Sequence, residues 1–362
     1  MPPVVRVVLA AAVVLALALP ATASAKPPPG FVGMTADDLY GRAGPYRDKA
    51  LDQQRAAGVQ LLRVAFNWSI IEFSPGGRTF ASYDRYVLDA ARRGITLLPI
   101  LFDPPAWQSA RPAGSKKHGT YPPKDFGAMA SWAAELVDRY GSNGSLWRNN
   151  PTVPAHPIVD WQIWNEPNLY VYWLPKSNAR QYLRLVQTVG AAIKARDVNA
   201  KIVTAGMPDS RLTRAIRLAP YLKALYKGGG SSAFDTLAIN SYAVTPRYLG
   251  KLMNTTRKLV NRIGGRSDKL WISEVGWCDK GYKPGHRLCV GSKRQAKYTA
   301  DSVSLMKKKR KAWKLRGFVL FSWRDGRPYA NRDFWGNHTG LLTIKGKKKP
   351  AFNAFVKSVK RL

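Results

Sequence analysis

Acidic residues are scarce in this chain. Its 362 residues carry 22 Asp and Glu against 58 Lys and Arg, and only four of the acids are glutamates: Glu72, Glu135, Glu166 and Glu274. Histidine and cysteine are scarcer still. The four histidines, His118, His156, His286 and His338, are scattered without metal-ligand spacing, and two cysteines beside one nearby histidine fall short of a structural zinc set. Neither a Walker-type loop, a Rossmann glycine fingerprint nor a Gly-x-Ser-x-Gly elbow occurs, so nothing implies a cofactor.

Long apolar runs are missing too, except at the start. Met1 to Arg6 carries one positive charge, and Val7 to Leu19 is an unbroken apolar stretch of 13 residues. That is short of the roughly 20 needed to span a bilayer. Pro20 and then Ala23-Ser24-Ala25 supply a helix break and a small-x-small cleavage site, so residues 1–25 read as a signal peptide and the mature chain is expected to start at Lys26, secreted and with no stable membrane anchor. Lys26-Pro27-Pro28-Pro29-Gly30 forms a stiff leader. In an oxidising compartment Cys278 and Cys289, with ten residues between them, are expected to close a short loop as a disulfide.

The shortage of acids leaves a formal net charge of +36. Such a chain is drawn to polyanions. Lysine clusters stand at 307–311 and 345–349, but no recognition helix or nucleic-acid-binding aromatic motif accompanies them, so no specific nucleic-acid partner is expected. The clusters read as solvated faces near the last two helices, with adhesion to acidic glycans or anionic cell envelopes as the other reading.

Against this background two glutamates stand out. Glu166 ends the run Ile158-Val159-Asp160-Trp161-Gln162-Ile163-Trp164-Asn165-Glu166-Pro167, and Glu274 ends Lys269-Leu270-Trp271-Ile272-Ser273-Glu274. A carboxylate at the end of a buried strand is costly unless paired or used. A buried ion pair would explain either glutamate alone; two on different strands form the constellation that glycosidic-bond cleavage needs.

Short apolar runs alternate with amphipathic stretches along the chain, the pattern of a parallel sheet with crossover helices. The runs fall near 31–34, 61–66, 95–102, 158–164, 201–206, 236–241, 270–274 and 317–323. Eight such strands close a (β/α)8 barrel, a single α/β domain over residues 31–362. Helices are expected at 46–58, 82–93, 125–140, 178–197, 211–227, 246–264, 293–313 and 350–360. In such barrels the site lies where the strands stop. Polar and aromatic groups collect at those positions: Asn67-Trp68, Asp103 to Trp107, Asn165-Glu166, Asn240-Ser241-Tyr242, Glu274 and Ser322-Trp323.

With these motifs the chain resembles the retaining (β/α)8 glycoside hydrolases of clan A, and is similar to families 5 and 39. The resemblance implies Glu166 as acid/base and Glu274 as nucleophile, with carboxyl groups about 5–5.5 Å apart. It also implies that Arg63 holds the nucleophile ionised, Asn165 bonds the sugar 2-hydroxyl, Tyr242 orients the nucleophile and Trp323 floors the subsite. Asn240 stands where family 39-like members often carry histidine, and belongs to the expected substrate-binding set. Trp68 and Trp107 join that set as stacking platforms, with Trp173, Trp277 and Trp335 as further candidates; for each, core packing is the competing reading. The expected partner is a carbohydrate, a neutral β-glycan ahead of an acidic one, and the expected state is a monomer. The rival functions are a carbohydrate-binding pseudoenzyme and a cationic envelope-adhesion protein.

Overall fold

A computed structural model describes residues 26–279, 285–328 and 333–362; the segment 1–25, expected above to be a signal peptide, lies outside them. Eight parallel strands close into a barrel: β1 (Val32–Thr35), β2 (Leu61–Asn67), β3 (Thr96–Phe102), β4 (Asp160–Ile163), β5 (Lys201–Thr204), β6 (Thr236–Asn240), β7 (Lys269–Val275) and β8 (Leu315–Leu320). Each strand pairs with its neighbours in sequence, and β1 pairs with β8 to close the ring, Val32 opposite Phe318. The surrounding helices are α1 (Pro45–Ala56), α2 (Ala81–Ala91), α3 (Phe126–Tyr140), α4 (Ala179–Arg196), α5 (Leu218–Lys227), α6 (Pro246–Arg262), α7 (Ser292–Trp313) and α8 (Pro350–Val359).

Strand alternation explains how the barrel fills. In β2, Leu61, Arg63 and Ala65 share one face, while Leu62, Val64 and Phe66 share the other. Leu61, Leu98, Val203, Ala238, Trp271 and Val319, one from each of six strands, form a cluster separate from the main core between sheet and helices. This cluster packs the barrel interior. The helices bury one stripe each; in α3 it includes Met129, Trp132, Ala133, Leu136, Val137 and Tyr140. Their starts follow local chemistry. The Asp125 carboxylate accepts from the Gly127 amide at α3, and Thr245 accepts from Tyr248 at α6, which opens on Pro246.

All eight expected strands and all eight expected helices are present. The largest boundary difference is α5, which starts at Leu218 instead of 211. Asp209 folds back onto Arg217 at 2.7 Å and accepts from the Leu218 amide, and Arg214 sits at φ 66°, outside helical space. After β2 the chain adds a one-turn helix, Trp68–Ile71, and a small hairpin, Glu72–Ser74 with Gly77–Arg78. There Arg78 binds Glu72 at 2.7 Å and also pairs with Glu135. Two of the four glutamates are thereby spent on structure. Among the described residues no helix is long and apolar enough to cross a membrane.

Candidate active site

The two remaining glutamates meet at the C-terminal rim. Arg63, in β2 and buried, is the hub: Nη1 donates to Glu274 Oε1 at 2.6 Å, Nη2 to Asn165 Oδ1 at 2.9 Å, and Nε to Gln162 Oε1 at 2.8 Å. One guanidinium thus ties β2 to the ends of β4 and β7. The Tyr242 hydroxyl donates to the other oxygen of Glu274. Burial, and then the nearby charge of Glu274, push the Tyr242 phenol well above its ordinary range, so it remains a donor. Both Glu274 oxygens therefore face donors, the pattern suited to a carboxylate anion.

Glu166 sits in a different environment. Its Oε1 accepts from Asn240 Nδ2 at 2.6 Å, and Asn240 Oδ1 accepts from the Ser273 hydroxyl at 2.8 Å. Asn240 and Ser273 are fully buried. Burial, followed by the charge of Glu274, raises the Glu166 carboxyl to about 8; the Asn240 hydrogen bond and the Arg63 charge pull the other way. Gly206, just past β5, makes this relay possible. A Cβ there would lie 2.1 Å from Asn240 Oδ1 and 2.5 Å from Ser273 Oγ.

The backbone that presents Glu166 is unusual. Trp164 and Glu166 adopt φ of 74° and 44°, a region that costs a non-glycine residue about 1–3 kcal/mol. Hydrogen bonds hold this turn in place. The Trp164 amide donates to Leu101 O at 3.0 Å, its indole to Tyr172 O at 2.7 Å, and the Glu166 amide to Gly206 O at 3.2 Å. Asn165, between them, is half-buried; with Oδ1 on Arg63, its NH2 has no protein partner among the described residues.

Several expected substrate contacts are corrected. Trp68 is fully buried, stacked on Trp132 at 5.5 Å with its indole donating to Glu72, because the one-turn helix after β2 turns it into the barrel wall. Trp323 is also fully buried: the chain bends after β8 and packs this side chain against Phe352 of α8. Phe321 takes the rim position instead, 6.2 Å from the Tyr242 ring. Asn240 is out of a substrate's reach and touches Glu166. Trp173 and Trp277 are buried, their indoles donating to Gln181 and the Ala243 carbonyl. Trp107 and Trp335 remain half-exposed, and Trp335 lies edge-on to Tyr242 at 4.8 Å. Gln162, Ser273, Gly206 and Phe321 were not singled out in the sequence; strand alternation from Trp271 would have turned Ser273 inward.

Cys278 and Cys289 form a disulfide. It closes the loop after β7, and His286 in that loop stacks on Trp335 at 5.9 Å. Trp335 in turn packs on Tyr242, so the loop braces the glutamate's tyrosine partner. Lys349 ties the β7 and β8 loops together, at 3.2 Å from Asp279 and 2.7 Å from Asp325. Loss of the disulfide through Cys278→Ser/Cys289→Ser should cost at most about 3 kcal/mol of stability by loop closure. Denaturant unfolding checks this.

A carboxyl whose setting favours its neutral form, beside one whose two oxygens both accept hydrogen bonds, can protonate one atom while its partner supports or attacks a developing cation. No protein-family model matches the sequence, and no curated protein does. Solved structures do match. The family 39 glycoside hydrolase from the gut symbiont Bacteroides cellulosilyticus WH2 superposes with a TM-score of 0.64 at 18% identity, over 91% of this chain and 63% of that one. The monomeric beta-xylosidase from Caulobacter crescentus CB15 gives 0.65 at 17%, over 92% and 69%. Xylanase 10B from Thermotoga maritima gives 0.61 at 13%, over 92% and 95%. The chain thus spans just under two thirds of the length of the family 39 enzyme, and its fold is similar to the (β/α)8 barrel of these glycoside hydrolases.

Proposed function

We propose that the protein is a secreted, monomeric retaining glycoside hydrolase. The observation that carries this reading is the rim constellation: Glu274 fixed by Arg63 and Tyr242, and Glu166 held apart on Asn240 in a buried setting that favours its neutral form. Glu274 attacks the anomeric carbon and displaces the leaving group, forming a glycosyl-enzyme ester. Glu166 gives its proton to the departing oxygen, then takes one from the incoming water as it attacks the ester. Oε1 of Glu166 is occupied by the Asn240 amide, so Oε2 carries the proton. Asn165, with its NH2 available, suits the sugar 2-hydroxyl. The two carboxyl groups work at about 5–5.5 Å in such a reaction.

The bonded cysteines support an oxidising destination, and N-terminal sequencing of secreted material should start at Lys26. A panel of aryl glycosides and neutral β-glycans tests the activity. Hydrolysis that disappears in Glu274→Ala supports the enzyme; binding without turnover would instead identify a carbohydrate-binding pseudoenzyme.

Asn240 is a positioning residue in this scheme. Asn240→Ala removes a hydrogen bond that favours the charged form of Glu166, so its pKa rises further. The acid form acts below that pKa, and activity falls as pH rises through it. The basic limb of kcat/KM should therefore move to higher pH in the variant, while kcat falls by up to about 100-fold through misplacement of the carboxyl. An unchanged pH profile would refute this role.

A further inference from the structure

The excess positive charge is unevenly spread. The segments 246–269, 292–316 and 350–362, which carry α6, α7 with the start of β8, and α8, hold twenty Lys and Arg against two acids. On the other flank, segments 45–60, 81–95 and 126–148 hold eight against six, and there the charges are paired: Arg93 with Asp48 and Asp52, Arg47 and Arg92 with Asp89. The two acids of the basic sector are already engaged. Asp268 is buried and accepts from Tyr226, and Asp301 pairs with Lys297.

Most cations of this sector gather at one end of the barrel; Arg247, Lys251, Lys293, Arg294 and Lys297, in the first turns of α6 and α7, lie at the other. α7 ends at Trp313 and β8 begins at Leu315, so residues 307–314 lie where the strands start, opposite the rim that carries Glu166 and Glu274. Hydrogen bonds draw neighbouring segments onto this end: Lys307 donates to the Arg361 carbonyl, and Lys314 to the Arg266 carbonyl at 2.6 Å. Backbone carbonyls fix these side chains without neutralising them. Lys308, Lys311, Lys314, Arg266, Lys360 and Arg361 are all exposed beside one another or one segment away.

We infer that this end of the barrel is a docking surface for an acidic glycopolymer, a chain bearing regularly spaced carboxylate, sulfate or phosphate groups. Arg316 pairs with Asp160 at 3.0 Å, but Lys308, Lys311, Lys314, Arg266, Lys360 and Arg361 have no acidic partner among the described residues, and dense charge of one sign supplies affinity by counterion release. Among the large exposed apolar side chains of the described residues, only Tyr248 belongs to this sector, at the opposite end of α6. Among the described residues at this end of the barrel, no exposed aromatic offers a stacking platform of the kind that holds single-stranded nucleic acid. A protein docked in this way keeps its site rim facing outward, free to work on a second, soluble or neighbouring chain.

The test needs binding only, so it is independent of the catalytic reading. Lys308→Glu/Lys311→Glu/Lys360→Glu is compared with Lys49→Glu/Arg180→Glu/Arg184→Glu, which changes net charge equally but lies on α1 and α4. Binding to polygalacturonate, dextran sulfate, neutral dextran and duplex DNA is measured across a salt series. The first variant should lose at least about tenfold in affinity for both acidic polymers near physiological salt, with a shallower salt slope. The second should stay within about twofold, and neutral dextran should not bind. Equal losses in both variants, no loss in either, or tighter binding of DNA than of both glycopolymers would overturn the inference.

Discussion

Glu274→Ala is expected to lower kcat by roughly 10⁴–10⁶-fold, the range seen when one member of a catalytic set is removed. Among the described residues, the groups that touch it cannot take its place. Arg63 and Tyr242 both donate to Glu274, and Gln162 serves Arg63. Azide added to this variant should occupy the vacated side of the sugar and yield a glycosyl azide of inverted configuration. Recovery of a product with retained configuration would move the nucleophile elsewhere. The fold should survive the change, since Glu274 stands at the strand end and the barrel interior is packed by a separate set of residues.

Glu166→Ala should behave differently. General acid catalysis is worth about 10²–10⁴-fold, and most of it applies when the leaving group is a poor one. Activated aryl glycosides should therefore lose little in glycosyl-enzyme formation, whereas alkyl glycosides and natural glycans lose nearly all turnover. Azide should now give a retained glycosyl azide, because Glu274 still forms the ester and azide replaces the water that Glu166 would have activated. Steady-state kinetics across a leaving-group series checks this. A loss independent of leaving group would swap or dissolve the roles of the two glutamates.

The barrel was legible because its signals are local. Apolar runs and helix-capping residues recur with the right periods, and the eight strands fall where those runs predict. The two rim glutamates were legible because glutamate is so rare here and both end strands. Aromatic roles were harder to read. Trp68 and Trp323 follow barrel strands as a rim residue should, yet each packs into the core between sheet and helices, one through a single helical turn and the other through a bend after β8. Sequence position fixes where along the axis a residue lies, but backbone direction at the strand end decides which way it faces. Asn240 illustrates the same limit: it lies on the expected strand end, but only the Ser273 and Gly206 neighbours show that its amide serves Glu166.

The anomeric configuration of the first-formed product tests the central claim most directly. An aryl glycoside that the enzyme cleaves is followed by proton NMR from the first turnovers, before mutarotation mixes the anomers. Two displacements through Glu274 predict the same anomer as the substrate. Appearance of the opposite anomer first would contradict the account, since it requires a single displacement by water with carboxyl groups about 6.5–9.5 Å apart.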